Sequence, residues 1–224
     1  MEMKYNKFLT VLLIIIIVGI IGLLGFLGYR FLSSYKTAND ADDYVSTFVG
    51  EDVSKQTDSD ELKNEVAQDL VEGIETVNST SSGKKAVKTY KGFNVIGTIE
   101  IPTTNIKYPI LNDPPTVKKL ETSVAALYPQ NAEVNKPGNI VIVGHNYRNG
   151  LFFSNNKKLK NGDKIYITDL DGKRVTYVVY NTFQTAENDT SFYNRDTDGA
   201  MEITLSTCTD ASNDQRIIVF AKAE

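Results

Sequence analysis

The sequence predicts a mainly β domain carried behind an N-terminal membrane anchor and a stalk. Three observations lead to this fold class: a long uncharged apolar run near the N-terminus, a polar stretch after it, and a change to short β-branched runs from Phe93 onward. The C-terminal part holds seven or eight such runs in about 130 residues, with little helical periodicity. This pattern is typical of one closed or nearly closed antiparallel-type barrel.

The N-terminal apolar run predicts a transmembrane helix. No charged residue occurs from Phe8 to Leu27, and a helix of about 20 residues spans about 30 Å, the thickness of the bilayer core. A cleaved signal peptide is the alternative, but it would have a shorter apolar region and small residues at a cleavage site. We expect a short cytoplasmic N-terminus over residues 1–7 and a retained anchor over residues 8–29.

Basic residues flank the anchor on both sides and discriminate little between its two orientations. Lys4 and Lys7 precede the anchor, and Arg30 and Lys36 follow it. The short free N-terminus, and the acidic residues that soon follow the anchor, favour an N-terminus in the cytoplasm. The predicted location is therefore the cell membrane, crossed once, with the C-terminal domain outside the cytoplasm.

Residues 30–92 are predicted to form an extracytoplasmic stalk. The segment is polar and poor in large apolar groups, which suits a solvated linker. One probable helix interrupts it, because apolar residues recur every four positions after a possible capping box. The apolar residues are Leu62, Val66, Leu70 and Ile74, and the capping pair is Thr57 and Asp60.

Residues 93–224 are predicted to form the barrel, because β-branched and aromatic residues alternate with polar ones or form continuous apolar runs. Asp171-Gly172 lies between two runs and predicts a hairpin with a type I′ turn. Pro109 indicates an edge or a bulge. The longest interruption, residues 185–200, has the character of a functional loop. The runs are 95–101, 105–111, 139–144, 164–170, 173–184, 201–207 and 215–223.

The charge balance limits the possible partners. The whole chain has a formal net charge of −4, and leaving out Lys4, Lys7, Arg30 and Glu2 changes it to about −6 for the remainder. Nucleic-acid affinity depends on clustered Lys and Arg, so no nucleic-acid partner is expected. No cofactor and no metal are expected either, since one His and one Cys leave a zinc site short of ligands. A calcium site built from loop carboxylates stays open.

The single histidine and the single cysteine both follow strand-like runs. His145 comes directly after one apolar run, Cys208 ends another, and Arg216 opens the last one. A thiolate is a far better nucleophile than a thiol, and a neighbouring imidazolium lowers the thiol pKa. An arginine beside them could hold a carbonyl or an oxyanion. The alternative is that each residue serves packing or solvation, which is the usual role of each type taken singly.

Three strings resemble the sortase family of membrane transpeptidases. They are "TLSTC" (204–208) with Arg216 opening the last strand, "GNIVIVGHN" (138–146), and "IGTIEIPTTNIKYPI" (96–110). The resemblance covers residues 93–223 and implies an eight-stranded β-barrel with short helices. By this resemblance His145, Cys208 and Arg216 match the catalytic residues of the family. Substrate-binding roles are expected for Ser206, Thr207, Phe192 and Tyr193, with loop anchoring as the alternative for the two aromatic residues.

The resemblance also implies a reaction. Sortases cleave a C-terminal sorting signal of the Leu-Pro-x-Thr-Gly type or a variant, hold the acyl chain as a thioester, and pass it to an amine on a cell-wall precursor or a pilin. The implied partners are secreted proteins that carry such a signal, the acceptor amine and the membrane. "TLSTC" is similar to class B sortases, whereas the short connection at 185–200 is similar to classes A and D. "NDPP" (112–115) is interpreted as a turn.

Two other functions fit the same residues. A membrane-anchored cysteine peptidase would use the same side chains but let water resolve the thioester. A non-catalytic surface-binding barrel would keep Cys208 buried and inert. Papain-like peptidases place the cysteine at a helix start and before the histidine in the chain, so the strand pattern favours a transpeptidase.

Overall fold

A computed structural model describes residues 2–57 and 88–224 of the chain. The helix predicted around Leu62–Ile74 lies outside the described residues. The chain divides into two compact units, residues 1–40 and residues 41–224. The helices are α1 (Glu2–Thr57) and α2 (Val117–Thr122). The strands are β1 (Thr89–Tyr90), β2 (Phe93–Ile101), β3 (Ile106–Leu111), β4 (Val124–Tyr128), β5 (Gly138–Val143), β6 (Lys164–Asp169), β7 (Arg174–Ala186), β8 (Met201–Cys208) and β9 (Gln215–Ala223).

The N-terminal unit is the first part of α1. This helix contains a stretch near the N-terminus that is long and apolar enough to cross a membrane. Its large apolar side chains from Leu9 to Leu32 are exposed, as expected for a helix that faces lipid rather than a protein core. Its backbone hydrogen bonds are made within the helix, which is the requirement for a segment in hydrocarbon.

The second unit is a closed barrel, as predicted. The strands follow the order β1-β2-β3-β4-β5-β8-β9-β7-β6, and β2 pairs with β6 to complete the circle. Strand β1 is only two residues long and adds to the outside of β2, so β2 to β9 form the eight-stranded barrel. Most pairs are antiparallel, as expected of an antiparallel-type barrel, but β3–β4 and β5–β8 pair in parallel. Alternating residue patterns report which face is buried, but they carry no information on strand direction.

Period-two alternation divides the strands into an inner and an outer face. The inner side chains of the strands fill the barrel with aliphatic groups and two tyrosines, Tyr108 and Tyr177, so the barrel has a packed interior. They include Ile99, Ile110, Ile142, Ile167, Tyr177, Ile203, Leu205 and Val219. A second buried cluster lies on the outer face and consists of Val141, Phe192, Ile218 and Phe220. Phe192 comes from the connection between β7 and β8, which therefore lies over the outside of the barrel.

The hairpin predicted around Asp171-Gly172 is present between β6 and β7, but its turn is of a different type. Gly172 has a φ of 79°, whereas Asp171 is not among the residues with positive φ. A type I′ turn requires positive φ at both central positions. Gly172 N–H donates to Asp169 O at 3.1 Å, so the turn begins at Asp169. The Asp169 carboxylate accepts from the backbone N–H groups of Asp171 and Lys173 and stabilises this longer turn.

The later turns of α1 belong to the barrel unit, which differs from the expected solvated linker. Ala41, Val45 and Phe48 are buried, and Phe48 packs with Tyr90 and Leu111 among others. These three helical residues recur at intervals of three and four, which places them on one side of the helix. Asp42 pairs with Lys107 at 2.9 Å. The pattern was missed because it is only two turns long and lies between polar residues.

We predict that Phe48→Ala destabilises the barrel unit by about 3 kcal/mol, because a buried phenyl ring is lost and a cavity remains. The measurement is urea unfolding of the full chain in detergent micelles, followed by tyrosine fluorescence. Ser46→Ala, an exposed position on the same helix, is the matched control and should leave the free energy of unfolding unchanged. Equal stability of the two variants would show that this packing does not stabilise the barrel.

Candidate active site

Strand register brings Cys208 and Arg216 together. They are cross-strand partners in the antiparallel pair β8–β9. Thr209 N–H donates to Gln215 O at 3.1 Å, so the backbone hydrogen bonds flank this pair rather than join it. Side chains in such a non-hydrogen-bonded pair are the closest neighbours in an antiparallel sheet, with Cβ atoms about 4.5–5.5 Å apart.

His145 lies two residues beyond the end of the neighbouring strand β5. In the parallel pair β5–β8, Val143 is the register partner of Ser206. Two residues further along each of the two segments are His145 and Cys208. The alignment continues beyond the end of β5. Gly144 N–H donates to Ser206 O at 3.3 Å, and the Thr207 hydroxyl donates to Gly144 O at 2.7 Å.

The same alternation places the three residues on the outer face. Val141 and Val143 belong to the outer cluster and its rim, as do Ile218 and Phe220. Continuing in steps of two leads from Val143 to His145 and from Ile218 to Arg216. Cys208 faces the same way, because it is the cross-strand partner of Arg216. Thiol, imidazole and guanidinium therefore belong to one edge of the outer face, called the reactive rim below.

Cys208 is free and half-buried. Its carbonyl accepts a hydrogen bond from Asn146 Nδ2 at 2.9 Å, and the same Nδ2 donates to Asp210 Oδ1 at 2.8 Å. Lys157 forms an ion pair with the other oxygen of Asp210. The hydrogen bonds from Lys157 and then Asn146 hold the pKa of Asp210 below its usual value. The residue after the histidine is thus tied to the loop after the cysteine.

His145 is half-buried, and its ring lies 4.8 Å from the ring of Tyr147. Burial lowers the pKa of His145 from 6.5, while the negative charge of Glu121 partly opposes this shift. A lowered pKa means that the imidazole is mostly neutral at pH 7 in the absence of a nearby thiolate. The charged form would be favoured once the neighbouring thiol has lost its proton.

The guanidinium of Arg216 is directed towards the loop connections around the rim. It donates to the carbonyls of Asn213 and Gln215, the latter at 3.3 Å, and pairs with Glu187 Oε2 at 3.4 Å. Glu187 begins the β7–β8 connection, so Arg216 links this loop to the rim. A carbonyl or oxyanion entering here would meet a fixed positive charge on a planar donor.

Tyr193 is the most exposed of the four residues predicted to bind substrate. It is half-buried, its ring lies 5.8 Å from that of Tyr128, and burial raises its pKa while the charge of Arg216 opposes the rise. Phe192 is 3% exposed and packs in the outer cluster, which matches the alternative of loop anchoring. Thr207 and Ser206 are also buried. Their roles towards a substrate stay predictions.

Sequence reasoning did not identify three residues that shape the rim. Asn146 is only the last residue of the string "GNIVIVGHN", and no sequence pattern marks Glu187 or Asp210. Their contacts connect separate loops, so no local signal marks them. The described part of the chain contains no group of three or more His, Cys, Asp or Glu arranged to hold a metal ion.

The fold and the rim define a class of protein: a closed barrel that presents a free thiol, an imidazole and a guanidinium together. Comparison with known proteins agrees with this class. A family model for the sortase domain matches residues 99–224. The chain belongs to the sortase family.

Individual sortases resemble the chain over its C-terminal half and more. Sortase A of Bacillus anthracis is 31% identical over 134 residues, which cover 57% of this chain and 58% of that protein. Sortase A of Listeria monocytogenes is 28% identical over 73% of this chain and 72% of its own length. The structure of a sortase D5 transpeptidase of Clostridium perfringens is 31% identical and covers 58% of this chain and 79% of that one, with a TM-score of 0.52. The similarity thus extends across sortase classes.

We predict that the imidazole of His145 titrates with a midpoint below 6.5. The chain has one histidine, so its ring signals in an NMR titration of the full chain in micelles are unambiguous. Burial favours the neutral form, and Glu121→Gln should lower the midpoint further, because it removes the opposing charge. A midpoint above 6.5 would contradict this environment.

The same shift has a consequence for stability. The unfolded state binds the proton more tightly, so the contribution of His145 is complete above pH 6.5 and is lost as the pH falls through the folded-state pKa. The variant His145→Gln should lack this part of the pH dependence.

We predict that Asn146→Ala raises amide exchange in residues 209–214 about tenfold, because the hydrogen bonds to Cys208 O and Asp210 are lost. The measurement is hydrogen exchange by mass spectrometry. Asn161→Ala, at an exposed turn position, serves as the control and should leave this loop unaffected. Unchanged exchange in Asn146→Ala would mean that other contacts hold the loop.

Proposed function

We propose that the chain is a membrane-anchored cysteine transpeptidase that cleaves a C-terminal sorting signal and transfers the acyl chain to an amine. The observation that carries this proposal is the direct cross-strand pairing of Cys208 with Arg216, with His145 two residues beyond the last register pair of β5 with β8. All three lie on the outer face, where an extended polypeptide could approach. The signal is expected to be of the Leu-Pro-x-Thr-Gly type or a variant.

The first half of the reaction forms a thioester. The Cys208 thiolate attacks the scissile carbonyl carbon, and the carbonyl electrons move onto oxygen. When the tetrahedral intermediate collapses, the C–N bond breaks and protonated His145 gives its proton to the departing amine. The N-terminal part of the substrate is then bound to Cys208 Sγ.

The second half transfers the acyl group. An incoming amine attacks the thioester, neutral His145 takes a proton from the attacking nitrogen, and the C–S bond breaks to release the thiolate. The lowered pKa of His145 suits this step, because a neutral imidazole is available as a base. The acceptor is a cell-wall precursor or a pilin amine, and the reaction class is hydrolase or acyltransferase according to the acceptor.

Arg216 would stabilise the oxyanion or hold the substrate backbone. A preorganised donor at a developing oxyanion contributes about 3–4 kcal/mol in acyl transfer. In the absence of substrate the guanidinium is paired with Glu187, whose side chain is more than half exposed. An exposed pair of this kind contributes little to stability, so a substrate oxygen can replace the carboxylate at small cost.

The membrane arrangement is part of the proposal. Residues 1–7 lie in the cytoplasm, 8–29 cross the membrane, 30–92 connect, and 93–224 form the extracytoplasmic catalytic domain. Secreted proteins that have crossed the same membrane would then meet the reactive rim on the outer side. The apolar character of α1 supports the anchor.

We predict that Cys208→Ala lowers turnover of a sorting peptide at least about a thousandfold, because the nucleophile is lost, while thermal unfolding changes little. The assay uses the full chain in micelles with a Leu-Pro-x-Thr-Gly peptide and triglycine. A new peptide that contains the triglycine identifies a transpeptidase. Hydrolysis that triglycine does not change identifies a peptidase instead.

A thiol-reactive probe separates an enzyme from a binding module. Selective labelling of native Cys208 that is slowed by His145→Ala supports an activated thiol. Labelling that requires unfolding would indicate a buried, inert cysteine and exclude the proposed reaction.

A further inference from the structure

The β7–β8 loop (residues 187–200) lies on the outer face beside the reactive rim, but apolar packing supports only part of it. Phe192 is buried in the outer cluster. Further along, Tyr193 to Arg195 border a cavity of about 420 Å³ near the start of β5, which Tyr128 and Asn139 also line. Because the cavity lies beside Tyr193 to Arg195, apolar packing covers this part of the loop only incompletely. Polar contacts therefore hold it in place.

Arg195 makes most of these polar contacts. Its guanidinium pairs with Glu202 of β8 at 2.7 Å and donates to the Tyr180 hydroxyl of β7 at 2.8 Å. The other terminal nitrogen donates to Asn139 Oδ1 at 3.1 Å and Thr204 Oγ1 at 3.3 Å. One loop residue is thereby bound to β5, β7 and β8.

The environment of Arg195 strengthens these contacts. Its Cζ lies 3.8 Å from the centroid of the Phe220 ring on β9. The side chains of Arg195 and Glu202 are only 18% and 8% exposed, so water screens the pair weakly. The Tyr180 hydroxyl donates to Glu202 Oε2 at 2.8 Å, which gives the carboxylate a second partner.

Asn139 connects this cluster to the part of the loop nearest the rim. Its Nδ2 donates to the carbonyls of Phe192 and Tyr193, each at 3.0 Å, while its Oδ1 accepts from Arg195. The same Oδ1 also accepts from the Thr204 hydroxyl at 2.8 Å, so Arg195 and Thr204 together hold Asn139 in the orientation that binds the backbone at Tyr193. Tyr193 in turn packs against the outer cluster together with Val143, and that cluster contains Ile218. One wall of the rim therefore depends on the contacts of Arg195 and Asn139.

We infer that Arg195 is a positioning residue that holds the β7–β8 loop in its peptide-binding position before any substrate arrives. The inference rests on the proposed function for the identity of the substrate, a sorting peptide. A preformed wall means that the peptide does not have to order the loop on binding. Loss of the Arg195 contacts lowers the fraction of molecules that are competent to bind the peptide. The apparent affinity for the peptide falls by that fraction.

The effect on kinetics differs from that of a catalytic residue. Arg195 does not belong to the reactive rim, so once peptide is bound the chemistry should proceed at nearly the normal rate. Loss of Arg195 is thus expected to raise KM about tenfold and to change kcat less than about twofold. Removing Arg195 alone would leave Glu202 buried without its ion-pair partner and could destabilise the fold. The decisive variant is therefore the double substitution Arg195→Met with Glu202→Gln.

The experiment measures hydrogen exchange of residues 187–200 and the kinetics of sorting-peptide cleavage, both on the full chain in micelles. The double variant is compared with Arg195→Lys, which keeps the charge but not the planar fork, and with Lys222→Ala. Lys222 is the exposed cross-strand partner of Glu202, so it controls for loss of a positive charge on the same row. We expect faster loop exchange and higher KM in the double variant, a smaller effect in Arg195→Lys, and none in Lys222→Ala.

Unchanged loop exchange in the double variant would overturn the inference, and so would a fall in kcat at constant KM. If the double variant does not fold, Arg195→Lys decides by the same two readouts. If the wild-type chain cleaves no sorting peptide, the proposed function fails separately. Loop exchange alone then decides whether Arg195 holds the loop.

Discussion

The reactive rim depends on the register of three strands. Because side chains alternate between the two faces, a slip of one residue in β8 would turn Cys208 into the barrel and Thr207 outwards. The inner rows prevent such a slip, since Ile203 and Leu205 are fully buried in the aliphatic interior. Core packing therefore determines which side chain of β8 faces outwards at the rim.

Three ion pairs lie around the rim. Arg216 pairs with Glu187, Asp210 with Lys157, and Arg195 with Glu202. These pairs differ in burial and therefore in effect. The exposed pairs at Glu187 and Asp210 can exchange partners readily, whereas the enclosed pair at Glu202 resists separation. The β7–β8 loop is thus held firmly at Arg195 and can adapt at Glu187, where it contacts Arg216.

Much of this architecture could be predicted from the sequence. Alternation revealed the strands, and the end positions of His145, Cys208 and Arg216 placed them near one edge. The parallel pairings were not predictable, because local alternation is the same in both directions. The contacts of Asn146 and of Arg195 could not be predicted from the sequence either. They join residues that are distant in the chain, and their side chains look like ordinary surface polar groups until the fold brings them together.

The parallel pairing of β5 with β8 has a consequence for biosynthesis. The imidazole and the sulfur come from segments about 60 residues apart, separated by the whole β6–β7 hairpin, and such long-range contacts form late in folding. A chain that is still emerging or only partly folded therefore carries Cys208 without His145 beside it. The three side chains of the rim are thus assembled only once the barrel has closed.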